Sequence, residues 1–98
     1  MEERVYIISL YDYYGKLLTD KQQKYFEDYY FDNLSLQEIA ENNDISRNAV
    51  HKHIKSVEAK LVFYEEKLKL YEKEKILKEK IKNIKDVNIR KEIEKIIE

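Results

Sequence analysis

Apolar residues recur every three or four positions along most of this chain, which is the period of an α-helix with one buried face. The first such stretch runs from about Glu3 to Tyr14 and carries on one side Ile7, Leu10, Tyr11 and Tyr14. Gly15, the only glycine, follows where a helix often ends in the left-handed conformation. No stretch shows the two-residue alternation of a strand, so the pattern predicts an all-α protein.

A second helix is predicted from about Asp20 to Phe31. Thr19 and Gln22 have the spacing of a capping box, in which each side chain bonds to the other residue's backbone amide at the helix start. The apolar positions of this helix are Phe26, Tyr29 and Tyr30, with Tyr25 at the margin. The pair Asp32-Asn33 is expected to end it.

The segment from Ser35 to Lys55 has the pattern of a helix-turn-helix motif. Ser35 and Glu38 form a second capping box, which opens a short helix. That helix carries on one face Leu36, Ile39 and Ala40. The turn falls at Asn42, Asn43 and Asp44, because Asn and Asp tolerate the left-handed conformation better than other non-glycine residues.

The second helix of the motif begins after Ile45, which anchors the turn, and Ser46, which can cap the helix. Val50 and Ile54 mark its buried side at an interval of four residues. The outward positions form a set that we call the groove face: Arg47, Asn48, His51, Lys52 and Lys55. In this motif such a surface enters the DNA major groove, where phosphate contacts position the helix. Any discrimination between bases would come from Arg47 or Asn48.

Beyond Lys55 a heptad seam continues through Val57, Leu61, Tyr64, Leu68 and Tyr71. This seam predicts that the second motif helix runs on as one rod past Tyr71. The apolar stripe then shifts to Leu70, Leu77, Ile81 and Ile84, and the shift indicates either a bend or a second packing partner. A turn at Asp86 and Asn88 precedes a short terminal helix bearing Ile89, Ile93, Ile96 and Ile97. We therefore divide the chain into a helix-turn-helix domain, 1–60, and a continuous helical extension, 61–98, for oligomerisation or partner contact.

The charged residues are distributed unevenly, although the net charge of the chain is −1. Residues 1–45 carry four basic and ten acidic side chains, whereas residues 46–98 carry fifteen basic and ten acidic ones. The cationic surplus begins at the groove face, which favours a nucleic-acid partner. The acidic first half opposes this, because the electrostatic field at the groove face is a sum over the whole molecule.

Composition excludes several classes of site. The chain has no Cys, so it forms no disulfide framework, and one Gly cannot build a phosphate-binding loop. His51 and His53 lie two positions apart and point in different directions on a helix, so we expect no metal site and no cofactor. Paired carboxylates such as Glu65-Glu66 fall on polar helix faces. Nothing in the sequence supports catalysis.

The remaining sequence features bear on location and on the role of the aromatic residues. No apolar run approaches the length of a membrane span, and the acidic, polar start lacks the features of a signal peptide. We expect a cytoplasmic protein without membrane insertion. The nine tyrosines could stack on single-stranded nucleic acid, but most have core spacing, as at Tyr6, Tyr14, Tyr29 and Tyr30. Core packing is the favoured interpretation.

The segments YYGKLLTDKQQKYFEDYYFDNLSLQEIAE, ISRNAVHKHIKSVEAKL and YEEKLKLY together resemble the small bacterial YlxM-like proteins. The resemblance covers about Tyr6 to Tyr71. It implies a helix-turn-helix fold related to region 4 of sigma factors, DNA binding, and a regulatory link to the signal recognition particle pathway. Carried over to this chain, it makes Ser46 the cap, Val50 and Ile54 core residues, and the cationic side chains of the groove face the DNA contacts.

The chain departs from the family pattern at two places. Asp44 occupies a turn position commonly held by Gly, and shorter groups stand on the outer face at Asn48, His51 and His53. The first departure predicts a less rigid turn, and the second leaves any base preference undetermined.

These observations lead to two hypotheses. In the first, the protein is a sigma-region-4-like regulator that binds double-stranded DNA through the groove face and forms a homodimer through its helical arm. In the second, the fold is an adaptor that contacts protein or RNA components of the signal recognition particle. The acidic side chains that would meet a basic partner in that case are Asp12, Asp20, Glu27, Asp28 and Asp32.

Overall fold

A computed structural model describes residues 2–97 and contains, within that range, six α-helices and no strand. The helices are α1 (Glu2–Tyr14), α2 (Asp20–Tyr30), α3 (Leu36–Asn43), α4 (Arg47–Leu68), α5 (Leu70–Ile81) and α6 (Val87–Ile97). They form an elongated molecule that measures 57 × 25 × 25 Å. The predicted all-α fold is confirmed.

The helix starts lie where the capping patterns predicted them. Gln22 N donates to Thr19 Oγ1 at 3.1 Å, and Thr19 N donates to Gln22 Oε1 at 2.9 Å. The same reciprocal pair joins Ser35 and Glu38 at 3.0 and 2.9 Å. Asp44 ends α3 in the left-handed conformation, with φ 55° and ψ 45°. These helix boundaries therefore depend on hydrogen bonds between residues close in sequence, which is why the sequence was sufficient to predict them.

The core lies among α1, α2, α3 and the first two-thirds of α4. Its fully buried side chains include Leu10, Tyr14, Tyr25, Phe26, Ile39, Val50, Val57 and Leu61. Tyr14 and Tyr30 are buried and Tyr6 and Tyr29 are half-buried, in agreement with core packing. Tyr25 was expected at the margin of its helix, but it is only 1% exposed. The expectation was wrong because the helical stripe of α2 packs against two neighbours, α3 and α4, and not against one.

Gly15 does not adopt the left-handed conformation expected from its position after α1. It begins a single turn of 3-10 helix, Gly15–Leu17, and the described residues with positive φ are Asn33, Asp44 and Lys69. A Cβ atom at Gly15 would lie 3.0 Å from the ring of Tyr11. That ring is stacked on Phe26, with centroids 4.1 Å apart and planes within 8°. A side chain at this position would require the Tyr11 ring to shift by a few tenths of an ångström, so glycine serves close packing here and not a left-handed backbone.

The expected rod past Tyr71 is wrong, because α4 ends at Leu68 and α5 begins at Leu70. Lys69 alone separates the two helices, and it is left-handed, with φ 56° and ψ 31°. The bend that the shifted apolar stripe indicated as one alternative is therefore present. The division of the chain at residue 60 remains a prediction, and α4 runs without a break across that point.

The bend is held by the carboxylate of Glu65, which is buried although it is charged. Glu65 accepts hydrogen bonds from the backbone N–H groups of Tyr71 and Glu72, each at 3.1 Å. It thereby caps the start of α5, where backbone amides lack a partner within the helix. Tyr14 of α1 donates its hydroxyl to the same carboxylate.

The C-terminal arm, residues 69–97, packs less completely than the rest. Ile81 is buried, and α5 rests on α1 through Tyr71. Several apolar side chains of α5 and α6 are substantially exposed, namely Leu70, Ile76, Leu77, Val87, Ile89 and Ile96. Within residues 2–97 the arm thus retains an apolar surface that this chain does not cover.

Candidate nucleic-acid interface

The turn between α3 and α4 is fixed by hydrogen bonds from three neighbouring residues. Ile45 N donates to the carbonyl of Ala40 at 3.1 Å, and the Asn43 amide donates to the carbonyl of Ile39 at 2.8 Å. Ser46 Oγ accepts from Ala49 N at 3.0 Å and so caps α4. These bonds determine the direction in which α4 leaves the turn.

The groove face lies on the outer side of the first turns of α4. Val50 and Ile54, at 0% and 3% exposure, anchor the helix against the core from beneath. All five predicted side chains are exposed: Arg47, Asn48, His51, Lys52 and Lys55. Lys52 faces away from Val50 and Ile54, whereas Arg47, three residues before Val50, is exposed at the first position of α4.

The cations of the groove face differ in their partners. Lys55 Nζ lies 3.3 Å from Glu58 Oε1, one turn further along the helix. Within residues 2–97, no ion pair or side-chain hydrogen bond engages Arg47, His51 or Lys52. These side chains are therefore available to a ligand, whereas Lys55 is partly neutralised.

Glu58 also joins the groove face to the N-terminal half of the molecule. The hydroxyl of Tyr30, in α2, donates a short hydrogen bond to Glu58 Oε2. Arg4, in α1, lies over the ring of Tyr30 at 4.7 Å and donates to its carbonyl at 2.8 Å. Burial, and then the bond to Glu58, raises the pKa of Tyr30 above its usual value.

The sequence did not predict this series of contacts, which runs from Arg4 through Tyr30 and Glu58 to Lys55. The three-residue spacing of Lys55 and Glu58 was the one visible signal, because such pairs are neighbours on a helix. The contacts with α1 and α2 are long-range, so no local pattern marks them.

His53 does not share the groove face, although it is exposed. Its imidazole stacks on the ring of Tyr25, with centroids 4.9 Å apart and planes within 21°. The hydroxyl of Tyr25 is buried and, among the described residues, has no hydrogen-bond partner. His53 thus packs on α2 rather than toward the surface that Arg47 and Lys52 form.

Further along α4, an exposed aromatic side chain continues the outward side of the helix. Phe63 is 53% exposed, and the ammonium group of Lys67 lies 5.6 Å from its ring centroid. The sequence analysis did not single out this residue, because it falls outside the heptad seam.

The acidic residues of the first half do not form one surface. A shallow hollow of about 360 Å³ on α2 brings together four carboxylates, Asp20, Glu27, Asp28 and Asp32. Asp28 pairs with Lys24 at 3.3 Å. Asp12, grouped with them on sequence, instead lines a separate groove with Tyr71 and Lys75. The acidic hollow therefore lies along α2 and includes Asp32, just beyond the end of that helix.

Comparison with known proteins agrees with this architecture. The model of the UPF0122 family, described as "Putative helix-turn-helix protein, YlxM / p13 like", matches residues 1–98. The chain belongs to the UPF0122 family. The YlxM-like resemblance seen in the sequence is thereby confirmed, and it extends beyond Tyr71 to the full length of the chain.

Members of the UPF0122 family from several bacteria are similar to this chain. A UPF0122 protein of Fusobacterium nucleatum is 41% identical over 98 residues, which cover 100% of this chain and 95% of the relative. One from Malacoplasma penetrans is 48% identical over 87 residues, covering 89% and 81%. One from Halalkalibacterium halodurans is 56% identical over 57 residues, covering 58% and 52%.

Residues 2–97 contain neither a candidate membrane span nor a candidate metal site. No helix in that range combines the length and apolarity that a membrane span requires. The same range holds no group of three or more His, Cys, Asp or Glu side chains placed to bind a metal ion.

Proposed function

We propose that this UPF0122 protein is a cytoplasmic, non-catalytic regulator that binds double-stranded DNA by inserting the start of α4 into the major groove. The observation that carries the proposal is the exposure of Arg47, His51 and Lys52 without a protein partner, above a buried Val50 and Ile54. Helix-turn-helix proteins that bind the major groove have such a recognition helix, with a capped start, a buried apolar side and exposed cationic side chains.

The proposal assigns different roles to these side chains. Lys52 and Lys55 would contact phosphates, which fix the position of the helix and make affinity depend on salt. Arg47 and Asn48, in the first turn, are the side chains nearest to where base edges would lie, and they match guanine and adenine respectively. His51 lies between the two groups on the same face.

Charge reversal on the groove face tests the proposal. We expect the double variant Lys52→Glu/Lys55→Glu to bind a labelled mixed-sequence duplex at least tenfold more weakly, by fluorescence anisotropy, because two phosphate contacts are lost. The matched control is Lys91→Glu/Lys95→Glu, which makes the same change in net charge on exposed residues of α6. Equal weakening by both variants, or by neither, would contradict the proposal.

The second candidate is an adaptor that contacts components of the signal recognition particle, and the acidic hollow of α2 favours it. Four carboxylates gathered in one hollow offer a surface for a basic protein segment. The variant Asp20→Lys/Glu27→Lys should then lose capture of the pathway's GTPases while Lys52→Glu/Lys55→Glu retains it. Capture that both variants retain, or that the parent chain itself lacks, would contradict the adaptor.

The homodimer belongs to the same proposal. The exposed apolar side chains of the arm, with Ile96 at 81% exposure, form the surface that we assign to contact with a second copy. Two groove faces in one dimer would also double the phosphate contacts and thus steepen the dependence of affinity on salt.

A further inference from the structure

The one-residue junction between α4 and α5 carries conformational strain. Lys69 has φ 56°, in the left-handed region, where a Cβ atom crowds the following carbonyl group. Relative to glycine, a lysine there lowers the population of the bent form by a factor on the order of ten. No turn residue relieves this, because α5 begins at the very next position.

Each backbone N–H group at the junction has a hydrogen-bond acceptor in the bent form and would have another in a straight helix. In the bent form, the N–H of Leu70 donates to the Tyr14 hydroxyl at 3.0 Å, and those of Tyr71 and Glu72 donate to Glu65. In a continuous helix, each amide would instead donate to the carbonyl four residues earlier. The number of satisfied amides is therefore the same in a bent and a straight molecule.

The sequence on both sides of the junction favours the straight form. Val57, Leu61, Tyr64, Leu68 and Tyr71 make one heptad seam, but Leu68 and Leu70 are each 45% exposed at the bend. A continuous helix would extend that seam beyond the buried Val57 and Leu61, and a second copy would cover its exposed part at Leu68. The Lys69–Glu72 ion pair at 3.7 Å is exposed and adds little to the bent form.

The arm has a complementary surface on α1 of its own chain. The ring of Tyr71 packs edge-on against Tyr6 at 5.4 Å and against Tyr13 at 6.4 Å. An arm that leaves this surface exposes the same rings on α1. Because two identical chains expose identical pairs of surfaces, each arm fits the α1 surface of the other chain as it fits its own.

We propose that Lys69 is a hinge for arm exchange: α4 and α5 straighten into one helix, and α5 of each chain packs on α1 of a second copy. The occupant of the vacated α1 surface is thus the partner's arm. The dimer keeps the ring contacts of Tyr71 with Tyr6 and Tyr13, relieves the strain at Lys69 and allows a second copy to cover Leu68. The inference rests on the homodimer of the proposed function and is independent of DNA binding.

A matched pair of hinge variants tests the role of Lys69. Lys69→Gly favours the bent monomer, since glycine adopts positive φ freely, and Lys69→Val disfavours it, since a β-branched residue does not. Both variants lose the ion pair with Glu72. The two variants should differ about tenfold in the population of the bent form of each chain. Because a dimer contains two chains, their dimer dissociation constants should differ roughly 100-fold. Light scattering across a concentration series measures these constants. Equal constants would overturn the proposal.

Cross-linking between chains tests where the arm lies. Asp12 and Lys75 are exposed and line one groove between α1 and α5, and the chain has no Cys of its own. Singly substituted Asp12→Cys and mass-tagged Lys75→Cys chains, refolded together, should form a mixed covalent dimer with a short bismaleimide. The control is the doubly substituted chain, in which the cross-link forms within one bent molecule. It shows whether the bismaleimide can span the distance between positions 12 and 75.

The outcomes separate this inference from the proposed function. A mixed cross-link that increases in the Lys69→Val background supports arm exchange. A dimer by light scattering without the mixed cross-link overturns arm exchange and leaves the homodimer. Monomers under all conditions overturn both, while anisotropy with duplex DNA on the same samples reports the groove face separately.

Discussion

The hydroxyl of Tyr14 donates a 2.5 Å hydrogen bond to Glu65 Oε1, and it joins two residues that lie 51 positions apart. The hydroxyl oxygen of Tyr14 also accepts a hydrogen bond from the N–H of Leu70. One phenol therefore connects α1, the end of α4 and the start of α5. The bend of the molecule, and hence the place of the arm, depends on this contact.

Removing that hydroxyl should destabilise the fold. Tyr14→Phe removes one of the three hydrogen-bond donors to the buried Glu65 side chain, and hydrogen bonds to charged groups contribute about 2 kcal/mol. Urea unfolding followed by circular dichroism measures the change. The control is Tyr64→Phe, whose hydroxyl has no hydrogen bond within the described range and should change stability by less than about 0.5 kcal/mol. Similar losses in both variants would contradict the assigned role.

Stability should also fall at alkaline pH. Burial, and then the bond to Glu65, raises the pKa of Tyr14 above the ordinary 10.0, and burial raises the pKa values of Tyr11 and Tyr30 in the same direction. Because the unfolded chain releases these protons first, their contribution to stability is complete below about pH 10 and is lost as pH rises through the folded-state values.

The measurement is the urea midpoint as a function of pH, together with tyrosinate absorbance. Tyr14→Phe should lose less stability between about pH 9 and about pH 11 than the parent chain does. Titration of all nine tyrosines in one step near the ordinary value, with helix content unchanged, would argue against this.

The turn of the helix-turn-helix motif should be improved by glycine. Asp44 has φ 55°, so Asp44→Gly removes steric strain and should raise the free energy of unfolding by about 1 kcal/mol. For a domain of this size, that corresponds to an increase in Tm of about 4–8 °C. Asp44→Asn, which removes the charge but keeps a side chain, is the control for electrostatic effects. An unchanged or lower Tm for the glycine variant would refute the prediction.

Neutralising Glu58 should strengthen DNA binding if the groove face acts as proposed. Glu58→Gln frees Lys55 for a phosphate and keeps an acceptor for the Tyr30 hydroxyl. We expect affinity for duplex DNA to rise severalfold at low salt, with a steeper dependence on salt, as anisotropy titrations at two salt concentrations would show. Unchanged affinity would mean that Lys55 lies outside the contact.

Local signals in the sequence predicted most of the helix-turn-helix. Ser35 and Glu38 act on backbone amides within four residues, and Asp44 closes the turn through its own backbone N–H, which donates to the carbonyl of Glu41. The outward placement of Lys52 follows from the four-residue spacing of Val50 and Ile54, whereas Arg47 is exposed at the first position of the helix. Whether those cations bind DNA stays a prediction, because exposure alone does not identify a ligand.

The misplaced features depend on contacts between residues far apart in sequence. The seam through Leu68 predicted a continuous helix, and it carries no mark of the bond between Tyr14 and Glu65 that closes the bend. Gly15 resembled a helix terminus, but a Cβ atom there would crowd the ring of Tyr11, which is stacked on Phe26. In both cases a contact between two helices decides the outcome, Tyr14 with Glu65 or Tyr11 with Phe26, and periodicity gives no information about such contacts.

The length of the molecule affects how its mass is measured in solution. The radius of gyration of the chain is 17.2 Å, whereas a compact domain of about 100 residues has one of about 13 Å. An elongated particle leaves a sizing column early, as a heavier sphere would. Elution volume calibrated with spherical standards would therefore assign too large a mass to a single chain, and sedimentation velocity, which reports the frictional ratio, would distinguish it from a pair.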